Sequence, residues 1–173
     1  MRASFCTRCG TPLQVQTLAG RARQVCPQCN WIVYRNPIPV VAALVERGAE
    51  ILLLKRRNEP LRGFWAPPTG YVEWDESAAQ AAARETLEET GFEIQVDALD
   101  SVHSRANVGI LFIVYRAHLV GGRAQLSDEV AELQFCAPRH FPPQPPTHAD
   151  TPLDKFFLET LASLDYSSSQ RKS

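Results

Sequence analysis

The chain has 173 residues, 45% of them hydrophobic and 21% charged, which suits a soluble protein of one ordinary domain with at most a small appendage. Its 18 basic and 19 acidic side chains leave a formal charge of −1, which argues against a protein that coats nucleic acid or anionic membrane through bulk charge. No apolar run approaches the roughly 20 residues a bilayer requires, and the opening MRASFCTRCG has no apolar stretch after its arginine, so no membrane span and no export signal are expected and the expected location is the cytoplasm.

In chain order, two C-x-x-C pairs come first: Cys6 with Cys9 and Cys26 with Cys29, sixteen residues apart. A fifth cysteine, Cys136, stands far away in a strand-like stretch and reads as a small buried hydrophobe. An odd count without an export signal disfavours a disulfide framework. The paired spacing instead matches a four-thiolate Zn²⁺ site, because each short spacer turns both of its sulfurs toward one ion. Gly10 and Asn30, directly after the pairs, tolerate the left-handed backbone such turns need. A 36-residue segment with little apolar mass needs such a staple to fold. Redox chemistry is the competing reading, but no strand pattern is evident before either pair. Four thiolates leave the ion no open position, so the zinc is expected to be structural, and the arrangement resembles a zinc ribbon. The same segment carries Arg2, Arg8, Arg21, Arg23 and Arg35 with no acidic residue, and its aromatics are Phe5, Trp31 and Tyr34. A packing or homodimer-interface role is the favoured reading of the ribbon, and a nucleic-acid grip is the alternative.

From Pro37 the pattern changes. VVAALVE and ILLLKRR read as two buried strands joined by a tight turn at Arg47–Gly48–Ala49. Asp75 to Thr90 reads as a helix capped by Asp75 or Ser77 and stopped by Gly91, with Ala78, Ala79, Ala81, Ala82 and Ala83 as a small-residue packing surface. ILFIVYRAHLV is β-branched and aromatic and reads as a central strand, and Val130 to Cys136 as another. After a proline-rich connector, Thr151–Pro152–Leu153–Asp154 opens a last helix, along which Leu153, Phe156, Phe157, Leu161 and Leu164 recur at helical spacing. The expected organisation is a ribbon over 1–36, an α/β domain over 37–166 and a disordered polar tail over 167–173.

The chemistry concentrates in GYVEWDESAAQAAARETLEETGF, residues 70–92. Glu85, Glu88 and Glu89 stand at i, i+3 and i+4, on one side of a helix. Carboxylates so close repel one another unless a cation lies between them, and hard ions such as Mg²⁺ or Mn²⁺ take oxygen ligands of this kind. A solvated acidic face is the bland alternative. Gly70, Glu76, Arg84, Glu85, Glu88, Glu89 and Gly91 fill every fixed polar or glycine position of G-x5-E-x7-R-E-U-x-E-E-x-G-U, where U is apolar. This resembles the box of the Nudix hydrolase family, with Thr86 at a position usually aliphatic.

The resemblance implies an α/β/α sandwich with a mixed sheet and a metal-dependent hydrolase acting on a nucleoside diphosphate derivative. It implies that Glu85, Glu88 and Glu89, with the carbonyl of Gly70, bind Mg²⁺ or Mn²⁺, that Arg84 orients Glu85, and that Glu76 ties the helix to its loop. DEVAELQF resembles the segment that completes the metal cluster, with Glu129 the candidate and Glu132 the reserve. Arg56, Arg57 and Arg62 lie where they could meet phosphates, whereas Phe64 and Trp65 read as core or loop anchors. A ribbon before such a domain is similar to the NADH pyrophosphatase group and to one acting on ADP-ribose and FAD. CTRCG, CPQCNWIVYRNP and GFWAPPTGYVE look closest to the second. A Ser-Gln-Pro-Trp motif typical of the first is missing, since the only Gln-Pro is Gln144–Pro145, and Val108 stands where ADP-ribose enzymes carry a proline. The expected reaction is therefore release of AMP from ADP-ribose, FAD or NADH. RNA cap removal and a non-catalytic ligand-sensing module are the alternatives, and the intact glutamates count against the module.

Overall fold

The computed structural model describes residues 4–59, 61–106, 108–145 and 151–164. The polar tail and the end of the proline-rich connector lie outside them. The chain divides into two compact units, Met1–Asn36 and Pro37–Ser173.

In the first unit, β1 (Gln14–Leu18) and β2 (Arg21–Val25) form an antiparallel hairpin, and β3 (Ile32–Val33) pairs with β2. Ala19 and Gly20, between β1 and β2, both have positive φ (48° and 74°), the two-residue turn that matches strand twist. The cysteine turns close as their residue types allow. Gly10 N–H donates to the Cys6 carbonyl and Asn30 N–H to the Cys26 carbonyl, with φ of 73° and 56°. Contrary to expectation, a strand does precede the second pair, since β2 runs directly into Cys26. Its exposed, Arg- and Gln-rich sequence hid it from a hydrophobicity reading.

In the second unit, β4 (Ile38–Arg47) and β5 (Glu50–Arg56) meet at Gly48, whose φ is 64°. They are followed by β6 (Trp65–Ala66), β7 (Thr69–Tyr71), α1 (Ala78–Thr90), β8 (Phe92–Ser104), β9 (Ile110–Gly122), β10 (Val130–Cys136) and α2 (Pro152–Ser163). The strand order is β10-β5-β4-β9-β8. β4 and β9 run parallel and the other neighbours antiparallel, so the sheet is mixed. β4 explains the layering. Val40, Ala42 and Leu44 pack with Phe112, Val114 and Phe156 beneath α2, whereas Val41, Ala43 and Val45 pack with Ala81 and Ala82 beneath α1. A strand buried on both faces needs an unbroken apolar run, and each face needs its own helix.

Both helix starts are set by reciprocal caps. Ser77, not Asp75, caps α1: its hydroxyl accepts the Gln80 N–H while the Gln80 side chain accepts the Ser77 N–H. The helix thus begins three residues later than the earliest expected start. Thr151 and Asp154 do the same for α2. Gly91 ends α1 at φ 73°, and a Cβ there would lie 2.4 Å from the Arg123 carbonyl oxygen. Among the described residues, no helix is long and apolar enough to cross a membrane.

β4 and β5 pair only at their hairpin end, Glu46 with Ile51 and Arg47 with Glu50. Further along, β7 pairs with β4 and β6 with β5. The connecting loop therefore re-enters the split sheet before it starts α1.

Candidate functional site

A cavity of about 400 Å³ opens where β7, α1 and α2 converge. One end is polar, lined by Arg56, Thr69, Gly70, Glu85, Glu89 and Glu129. The other is largely apolar, with Val40, Phe64, Tyr71 and Phe112 facing Leu153, Phe157 and Leu161 of α2. Asp154 joins that wall as a carboxylate only 7% exposed. Both Thr151 donors, N–H at 3.3 Å and hydroxyl at 2.7 Å, meet its Oδ2.

The glutamates of α1 differ in environment although they share a helix. Glu89 is 7% exposed, and its Oε2 accepts the Thr69 N–H at 3.0 Å. Burial pushes its carboxyl up to about 8; the Thr69 N–H and Arg56 oppose this, whereas the charges of Glu85 and Glu129 add to it. Glu85 is also raised, again chiefly by burial and against the pull of Arg84. It lies over Gly70 so closely that a Cβ on that glycine would stand 1.9 Å from the Glu85 Cδ. Glu88 is exposed and is not part of the cavity wall; its Oε2 accepts from Arg84 Nη1 at 3.1 Å.

Arg84 organises this group. Its Nε and Nη2 donate to the two Glu76 oxygens at 3.0 and 2.6 Å, Nη1 donates to Glu85 at 2.9 Å, and Nη2 also reaches the Tyr71 carbonyl at 2.9 Å. The hydrogen bonds from Arg84 hold the Glu76 carboxyl below the usual range, and Glu76 in turn accepts the Glu73 N–H at 2.9 Å. One guanidinium thus joins loop, helix start and site carboxylates. Thr86, at the position usually aliphatic, is fully buried and satisfies its hydroxyl on the Ala82 carbonyl.

The remaining sequence expectations separate. Arg56 lines the cavity, but Arg57 is not among its lining residues. The Arg57 guanidinium donates to the Val130 carbonyl at 2.8 Å and its N–H to the Glu129 carbonyl at 2.8 Å, so it anchors the start of β10. Glu132 pairs with Lys55 on the surface, and Arg62 is exposed. Phe64 and Trp65 are buried. Asp154 and Phe157 entered the sequence reading only as a first-turn residue and a helix-spacing position of the last helix, and Tyr71 had no role in it. Nothing local in the sequence marks them as cavity residues, because α2 comes to the cavity only by packing across the sheet.

Hard-ion chemistry fits the polar end: three carboxylates and the Gly70 backbone offer oxygen ligands, and burial, with the charges of neighbouring carboxylates, raises two of the three. In the first unit, Sγ of Cys6, Cys9, Cys26 and Cys29 lie within 4.8 Å of one another. Three of the separations are 3.5, 3.6 and 3.7 Å. Four sulfurs about 2.3 Å from one zinc in a tetrahedron stand about 3.8 Å apart, so the set fits Zn²⁺. The Thr11 hydroxyl and backbone N–H hold the Cys9 thiol down to about 6. The Trp31 N–H favours a Cys29 thiolate, yet the neighbouring sulfurs and burial push that thiol up to about 12, so four anionic sulfurs here need a cation.

The NUDIX domain model matches residues 36–157, and the model described as Nudix N-terminal matches residues 4–35. An ADP-ribose pyrophosphatase of Methanocaldococcus jannaschii is 34% identical over 107 residues, which cover 60% of this chain and 63% of that protein. The NAD-capped RNA hydrolase NudC of Pseudomonas aeruginosa is 31% identical over 142 residues, 82% of this chain and 50% of that one. The chain therefore spans less than two thirds of either curated relative. A crystal structure of a NUDIX hydrolase from Nitrosomonas europaea superposes with a TM-score of 0.75 at 32% identity, over 81% of each chain.

Proposed function

The chain belongs to the Nudix hydrolase family, and we propose that it is a divalent-metal-dependent hydrolase that cleaves the pyrophosphate of ADP-ribose, FAD or NADH and releases AMP. The observation that carries the reading is the cavity itself, in which Glu85, Glu89 and Glu129 face an arginine at one end and an aromatic wall forms the other.

Gly70, Glu85, Glu89 and Glu129, which line the cavity, are the residues that would hold Mg²⁺ or Mn²⁺, and Glu88, paired with Arg84 outside the cavity wall, would join them only by leaving that pair. Such an ion, when bound, offsets the charge of the diphosphate and acidifies water. The chain's own groups do the rest. Arg84 fixes the direction of Glu85 and Glu88 and keeps loop and helix in register. Arg56 is the cavity cation that meets a phosphate, a task for which Arg57 is badly placed. A carboxylate of the set takes the proton of the attacking water. Tyr71 and Phe157 supply apolar surface for a nucleobase, and Asp154 an acceptor for a base amino group. The four cysteines hold structural Zn²⁺, and their use as thiols fits a reducing compartment such as the cytoplasm.

The test is to incubate the protein with ADP-ribose, FAD and NADH, with and without Mg²⁺ or Mn²⁺, and identify products by mass. AMP from at least one of them, only with added metal, and a loss of 100-fold or more in Glu85→Gln and Glu89→Gln are expected. Metal-independent release, or none from any of the three, overturns the reading.

A further inference from the structure

The charge of this molecule is divided by sequence position. Residues 1–36 hold five arginines and no carboxylate, a charge of +5, while the remainder has thirteen basic against nineteen acidic side chains, a charge of −6. A Zn²⁺ with four thiolates subtracts about two from the first figure and leaves it positive.

The arginines are also placed beside rings. Register sets Gln16 opposite Arg23 and Leu18 opposite Arg21, which puts Gln16, Arg21 and Arg23 on one face of the β1–β2 hairpin. The Arg23 guanidinium stands 4.8 Å from the centre of the Tyr34 ring, so the ring belongs to that face, and it is 59% exposed. Arg35 is exposed and lines a shallow hollow with Val15, Ala22, Gln24 and Val33, which the same register places on the opposite face. A second stack sets Arg8 over Trp31 at 3.8 Å. A guanidinium lying on a ring keeps its N–H edge available for a phosphate while the ring keeps a face for a base.

From this juxtaposition we propose that the β1–β3 face carrying Arg21, Arg23 and Tyr34 binds single-stranded RNA, with Arg21 and Arg23 on phosphates and Tyr34 stacked on a base. Alternating anion and flat ring is the pattern of a single strand. An acidic peptide would use the arginines and leave the exposed ring idle. The neighbouring glutamine amides, donor and acceptor at once, suit a ribose 2′-hydroxyl. The reading is independent of the cavity's substrate.

The experiment is a fluorescence-anisotropy titration of the full chain with a labelled 12-nucleotide RNA that carries no 5′-phosphate, so that hydrolysis in the cavity cannot contribute. Two arginine contacts predict a salt slope of about −1.4, hence binding about 7-fold weaker at 200 than at 50 mM salt. Arg21→Ala/Arg23→Ala should remove most of that slope and weaken binding at least tenfold at the lower salt. Tyr34→Ala should weaken binding about fivefold or more with the slope unchanged, which loss of folding would not do. Zinc content, and turnover of whichever dinucleotide the parent cleaves, should stay as in the parent in both variants. No saturable binding by the parent at 50 mM salt, variants that bind like it, or equal affinity for single-stranded DNA of the same sequence would overturn the proposal. So would variants that change self-association and not RNA affinity, which would assign the face to a second copy of the chain.

Discussion

Arg84 donates to Glu76, Glu85, Glu88 and the Tyr71 carbonyl from one planar head. An ammonium has no fork to span acceptors in so many directions. Arg84→Lys should therefore keep the charge, lose 10-fold or more in kcat, and lower Tm by a few degrees, as steady-state kinetics and thermal melts will show. Glu89 carries a pH signature. Its folded-state carboxyl near 8 lies above the ordinary value of 4.5, so between those values the folded chain holds a proton the unfolded chain has lost. Stability without added divalent ions should thus decline as pH rises from about 5 to 8. Glu89→Gln should flatten that decline, raising Tm at pH 8 and leaving it nearly unchanged at pH 5. The glutamates were legible because helical spacing is a local property. Their inequality was not: whether a carboxylate on α1 is buried like Glu89 or exposed like Glu88 depends on Thr69 and Glu129, which come from distant parts of the chain.

Among the elements, apolar runs and cap chemistry carried the reading, and failures occurred where those signals were interrupted. β4, β5, β9, β10 and α2 declare themselves by Val, Ile and Leu content or by Thr-Pro-x-Asp. β8 does not, because register shifts at Glu93/Ile94, Val96/Ala98 and Leu99/Ser101 break the alternation that reveals a strand. The start of α1 offered two capping residues, and only the reciprocal bonds with Gln80 decide between them. Ser77→Ala should therefore cost about 1 kcal/mol in denaturant melts, while Asp75→Ala stays within about 0.5 kcal/mol of the parent.

At the scale of the whole molecule, the two units draw stability from different sources. The second has apolar clusters on both faces of its sheet. The first buries little beyond Cys6, Val25 and Cys26. Cys26→Ser should consequently unfold residues 1–36, seen as loss of bound zinc and of dispersed amide resonances from that segment. The rest of the chain should melt as a separate transition at nearly the parent temperature.

The split between β4 and β5 bears on how such a molecule changes over generations. β6 and β7 supply main-chain partners to the inner edges of those strands, so the loop that delivers Gly70 doubles as mortar for the sheet. An insertion or deletion there would strip hydrogen bonds from two buried strands, and the carboxylate end of the cavity is thereby tied to the survival of the fold. The opposite wall, on α2, packs on the sheet through side chains such as Phe156 and Phe157 and can be rewritten without unpicking a strand. One half of the cavity is frozen and the other is editable, so descendants of this architecture can acquire new substrates while inheriting one chemistry.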